Sequence, residues 1–102
     1  MITDVVSKPV YQILNKITGE PRLEVALPLA LKELIRLKLQ EATKQRFSFE
    51  KRYDMDFTSF KATWLAQGES QDRSYEVEQD MWEWEAAVTD EEQYREMLSK
   101  LP

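Results

Sequence analysis

Between Ser74 and Val88 apolar residues recur on two opposite sides of a helix. At about 100° per residue, Tyr75, Trp82 and Ala86 share one side, while Val77, Met81, Trp84 and Val88 share the other. Glu76, Asp80 and Glu83 line one flank between these stripes, and Glu78 and Glu85 line the other. A helix packed on its own domain needs one apolar stripe. A second stripe carrying a second indole calls for another cover, and Trp, Tyr and Met are enriched in the buried centres of interfaces. Two covers stay open at this point, a foreign protein or a second copy of the chain.

Upstream, the run from Leu29 to Tyr53 contains neither Gly nor Pro. Leu31, Ile35, Leu39 and Ala42 form one helical stripe, rejoined by Phe49 and Tyr53 and widened by Leu34 and Leu37. The spacing predicts a long helix with Pro28 in its first turn, where a missing N–H costs nothing. Arg46, Phe47 and Ser48 mark the expected place for a bend. Phe57, Phe60, Trp64 and Leu65 define a short aromatic helix capped by Asp56 or Thr58 and ended by Gly68. Glu69 to Arg73 reads as a polar linker, with Ser70, Asp72 or Ser74 as the next cap. Thr89 and Glu92 match a capping box, which predicts a separate last helix from Asp90 to Ser99.

Residues 1–27 read in two ways. Val10, Tyr11 and Ile17 favour strands, Thr18 to Pro21 is a turn signal, and Leu23, Val25 and Leu27 alternate with other residues. This is a hairpin, or else a helix from Val10 to Ile17 followed by a short strand. The expected fold is therefore mostly α: a long helix plus two or three shorter helices, with an N-terminal strand or hairpin as the open element. Three segments result: an arm over 1–27 suited to dimerisation, a helical core over 28–66, and an acidic Trp-containing segment over 67–102.

Composition narrows the chemistry. The 102 residues include no Cys and no His, which removes disulfides, thiolate and imidazole metal ligands, and the Ser-His and Cys-His nucleophile pairs. Glu76, Asp80 and Glu83 at i, i+4 and i+7 are oxygen donors of the kind hard cations take, but helix-borne di-iron sites add a Glu-x-x-His motif that is missing here. No catalytic group, cofactor or metal is expected. No apolar run has the length of a membrane span, and the first residues lack a signal-peptide core, so a cytoplasmic protein is expected.

The net charge of −5 is unevenly spread, +3 over residues 1–66 and −8 over residues 67–102. Such asymmetry points to a partner. The long helix is weakly basic, and Lys32, Arg36, Lys38 and Lys44 are its candidate contacts to nucleic acid; a plain solvated face explains them as well.

Tyr53-x-Met55-x-Phe57-x-x-Phe60, followed by Tyr75-Glu76-x-Glu78-x-Asp80-x-x-Glu83-Trp84-Glu85, resembles a pattern in antitoxins of the TumA kind, small prokaryotic proteins encoded beside toxins. The resemblance covers residues 49 to 88, with Asp54 standing where that pattern has Gly. It implies a protein without enzymatic activity that neutralises a cognate toxin, commonly an RNA-cleaving enzyme with a basic surface, and that in many cases represses its operon through operator DNA. On that expectation Val77, Met81, Trp84 and Val88 are apolar anchors, and Glu76, Glu78, Asp80, Glu83 and Glu85 meet Lys or Arg of the toxin. The alternative is a homo-oligomeric helical protein with no toxin partner.

Overall fold

The computed structural model describes residues 7–67 and 74–102. Four helices account for most of them: α1 (Lys8–Thr18), α2 (Leu23–Tyr53), α3 (Phe57–Gln67) and α4 (Tyr75–Lys100). The mostly α expectation holds. No strand occurs among the described residues: the alternative of a helix over Val10 to Ile17 holds within Lys8–Thr18, and the hairpin, like the short strand after that helix, is corrected to helix from Leu23 onward. The β-favouring residues yield because α1 and α2 bury Leu14, Leu23 and Ala26 against each other, with Tyr11, Leu27 and Ala30 around them. Tertiary burial of this kind overrides a weak local preference.

The turn between α1 and α2 follows the sequence signal. Gly19 adopts φ 69°, and its N–H bonds to the Asn15 carbonyl at 2.9 Å, the left-handed cap that glycine enters without strain. Pro28 lies inside α2, five residues after its start, and not in its first turn. Its missing N–H leaves the carbonyl of the exposed Glu24 free to meet water. The arm boundary at residue 27 thus falls within one continuous helix.

Two expected breaks are absent. α2 passes through Arg46, Phe47 and Ser48 unbroken, and α4 passes through Thr89 unbroken. In each case the inward stripe continues across the site. Ala42 and Phe49 are buried on either side of the first, and Ala87 and Glu91 on either side of the second, so stopping the helix would forfeit their packing. Asp54 ends α2 at φ 54° and ψ 41°, with its N–H bonded to the Glu50 carbonyl. A glycine at this left-handed position would carry less strain than an aspartate.

α2 and α4 form an antiparallel pair. Arg52 meets Asp80, Phe49 meets Trp84, and Arg46 meets Glu91, one sequence descending as the other ascends. Asp56 caps α3 by accepting the Ser59 N–H at 2.7 Å, and Ser74 caps α4 by accepting from Val77 at 3.2 Å. The proposed Gly68 cap and the linker at Glu69 to Arg73 lie outside the described residues. α3 closes the core, burying Phe60 and Trp64 with Phe49, Met81 and Trp84 while leaving Leu65 exposed. The whole is a rod about 60 Å long and 20 Å across.

Candidate partner-binding surface

The two stripes of α4 are both present, and their roles are opposite to those assigned from sequence. Trp84 has 0% exposure, and its ring lies 5.7 Å from Phe49, 5.7 Å from Tyr53, 5.4 Å from Phe57 and 4.9 Å from Phe60. Met81 is buried beside it, and Val77 and Val88 pack against the same cluster. Trp84 and Met81 are core, and Val77 and Val88 lie partly buried against it. The Trp84 Nε1 is buried with no hydrogen-bond partner among the described residues. Its indole is held by ring and aliphatic packing, without a hydrogen bond among the described residues.

The outer stripe is the free one. Trp82 is 61% exposed and Tyr75 77%, with Ala86 exposed between the following turns. A signal for this division is present in the sequence. Within a helical turn or two, Trp84 has Val77, Met81, Ala87 and Val88 as apolar neighbours, whereas Trp82 has Tyr75 and Ala86. The broader stripe buries more area and so faces inward.

The five acids divide as well. Asp80 accepts from Arg52 and from the Tyr53 hydroxyl, both at 2.6 Å, and Glu85 accepts from Lys61 at 2.9 Å. These two tie α4 to α2 and α3. Glu83 accepts from the Gln79 amide at 3.0 Å, and Glu76 and Glu78 are exposed with no ion pair among the described residues. The surface open to a partner is therefore Tyr75, Trp82 and Ala86, rimmed by Glu76, Glu78 and Glu83.

No protein-family model, characterised protein or solved structure matches the chain. The reading of this surface rests on its own geometry.

The basic candidates are not gathered into one patch. Lys32 and Arg36 line a groove of about 350 Å³ with Ile17 and Leu29, where Arg36 donates to Glu33 at 2.6 Å. Lys38 lies 3.6 Å from Glu41. Lys44 belongs to a shallower groove of about 660 Å³ between α2 and α4, lined also by Leu39, Phe47, Lys51 and Arg95. Among the described residues no cluster of acids could hold a metal ion, and no helix is long and apolar enough to cross a membrane.

Sequence reasoning missed Glu91, which is 3% exposed. It accepts from Arg46, from Thr43 at 2.8 Å and from Arg95 at 3.3 Å. Arg46 also donates to Glu50 at 2.7 Å, so the carboxylate and guanidinium are satisfied together. Only the contact between helices distant in sequence makes this acid a buried one.

The Tyr53–Asp80 contact makes stability depend on pH at both extremes. Burial pushes the Asp80 carboxyl up, but the Tyr53 hydroxyl and Arg52 guanidinium outweigh it and hold the pKa below 3.8. The stability it contributes is complete above 3.8 and is lost as pH falls through the lowered value. Burial, reinforced by Asp80, pushes the Tyr53 phenol from 10.0 up to about 12. The neutral phenol therefore stabilises fully below pH 10, and this contribution disappears as pH rises towards 12. Thermal unfolding followed across that range should show a falling midpoint, and Tyr53→Phe should flatten the fall. An equal alkaline loss in the variant would assign it to other groups.

Proposed function

We propose that the chain is a binding protein that covers a basic, partly apolar surface of another protein with the outer face of α4, as an antitoxin covers its toxin. Trp82 is the anchor, Tyr75 and Ala86 extend the apolar contact, and Glu76, Glu78 and Glu83 face Lys or Arg of the partner. The supporting observation is the exposed indole on a helix that already has a sealed one: Trp82 stands 61% exposed two residues from a fully buried Trp84. An exposed Trp within an acidic rim gains a buried contact only when a partner desolvates it, and the rim speeds encounter with a basic surface. Occlusion of a ribonuclease's basic substrate cleft is the form of inhibition such a face suits.

The test is titration calorimetry with the product of the neighbouring gene, backed by growth rescue on co-expression. Trp82→Ala should leave folding stability within about 0.5 kcal/mol, as for an exposed site, while weakening the complex at least tenfold, as for an aromatic hot spot. Rising salt should weaken it further, because the rim charges are solvent-exposed in the free protein. A complex indifferent to Trp82→Ala and to salt would place the contact elsewhere.

A further inference from the structure

The groove between α2 and α4, about 660 Å³ in volume, shares no residue with the Trp82 face. Leu39 and Phe47 are its two apolar side chains, and Phe47 is 63% exposed. Lys44 and Lys51 stand on the α2 side and Arg95 on the α4 side, with no acid among the lining residues. Both lysines are exposed, and neither has an ion pair among the described residues. Arg95 meets Glu91 through Nη2 at 3.3 Å, yet its side chain is 60% exposed. Glu91 itself is 3% exposed and also holds Arg46 and Thr43, so it does not offset the positive charge on the open side.

We propose that this groove docks an acidic amphipathic helix of another protein. The apolar stripe of that helix lies on Leu39 and Phe47, and Asp or Glu on its two flanks meet Lys44 and Lys51 on one side and Arg95 on the other. The sign of the rim sets the charge of the occupant, since unpaired cations without acids select carboxylates and repel basic surfaces. The spacing sets its form. Lys44 and Lys51 are seven residues apart on α2, about 10.5 Å along the helix axis. A helix lying beside α2 presents nearly the same face again after seven residues and the same rise, so acids at i and i+7 reach both lysines. A single carboxylate reaches only one of them, and the tail of a fatty acid would stay wet in so shallow a groove. A nucleic-acid strand would use the cations, but Leu39 offers its bases no ring to stack on. Laying a third helix between two antiparallel ones is, by contrast, the packing of a helical bundle and of helix-in-groove recognition. This site is independent of the reading of Trp82.

Fluorescence anisotropy of the full chain with a labelled synthetic helix tests it. The probe is an end-blocked peptide of about five turns, with Leu along one stripe, Glu on both flanks and Ala elsewhere. Binding should saturate and should weaken as salt rises. The same peptide with Gln for Glu should bind at least about tenfold more weakly, because it loses the charge match. Lys44→Glu combined with Lys51→Glu should weaken the Glu peptide at least about tenfold, and Phe47→Ala should do the same by removing an aromatic anchor. All three positions are exposed, so circular dichroism should show unchanged helix content. Trp82→Ala should leave the peptide's affinity as it is, which separates this groove from the α4 face. Absence of saturable binding overturns the proposal, as does equal affinity for the Gln peptide or binding untouched by both groove variants. Displacement by decanoate or oligothymidylate at lower concentrations than unlabelled peptide also overturns it, and assigns the groove to a fatty acid or to nucleic acid.

Discussion

Trp84→Ala is expected to lower the unfolding free energy by about 3–5 kcal/mol, the range for truncating a fully buried large aromatic. The indole has 0% exposure and touches rings from both neighbouring helices: Phe49 and Tyr53 on α2, Phe57 and Phe60 on α3. Its removal leaves a cavity at the meeting point of three helices, too rigidly tied to collapse into it. Arg52 is bound to Asp80 on one side and Lys61 to Glu85 on another, so the surrounding helices keep their spacing. Domains of this size have about 5–15 kcal/mol in total, so the variant should sit near its threshold. Urea unfolding followed by circular dichroism measures the change. A loss below about 1 kcal/mol, the median of ordinary substitutions, would mean that the ring is not the centre of the core.

The second large effect is expected at Arg46. Arg46→Met should cost about 2–3 kcal/mol, somewhat below the usual 3–5 kcal/mol for breaking a buried ion pair, because Thr43 and Arg95 continue to donate to Glu91. The Glu91 side chain is only 4% exposed, against 26% for Arg46, so the stranded group is the carboxylate. The hydrogen bond to Glu91, followed by that to Glu50, raises the Arg46 pKa from its ordinary value, which keeps the guanidinium charged at any accessible pH. Pairing Arg46→Met with Glu91→Leu should recover most of the loss, since an apolar pair of similar volume avoids desolvating two charges. A double-mutant cycle in urea reads the coupling directly. Additive losses would show that the two side chains do not depend on each other.

The sequence allowed the helices to be placed more accurately than the roles of their faces. The long helix, the turn at Gly19, the Asp56 and Ser74 caps and the aromatic face of α3 follow from local spacing, but of the stripe expected on the long helix Leu31, Leu34 and Leu37 are exposed while Ala42 and Phe49 are buried. The breaks at Phe47 and Thr89 were expected because bend and capping signals are local, while the packing of Ala42, Phe49, Ala87 and Glu91 that overrides them joins residues about forty positions apart. The N-terminal residues up to Leu27 were ambiguous for the same reason: a few β-favouring residues compete with a cluster formed only when α1 meets α2.

The double stripe of α4 is legible in the spacing, and the larger number of apolar neighbours around Trp84 marks its stripe as the inward one. What spacing does not hold is the set of aromatic rings that α2 and α3 bring to Trp84. The acids are ambiguous. Asp80 and Glu85 resemble Glu76 and Glu78 in spacing, and only the positions of Arg52, Tyr53 and Lys61 convert the first two into internal ties.

The central claim is that neighbouring tryptophans on one helix serve different bodies, Trp84 its own fold and Trp82 another protein. Fluorine NMR of the chain labelled with 5-fluorotryptophan, its three signals assigned through Trp82→Phe and Trp64→Phe, tests it within one sample. In the free protein the Trp82 resonance should shift between H₂O and D₂O, and the Trp84 resonance should not. On adding the neighbouring gene's product, the Trp82 signal should move and lose its isotope shift while Trp84 stays in place. A Trp82 signal that keeps its full isotope shift in a saturated complex would contradict the account.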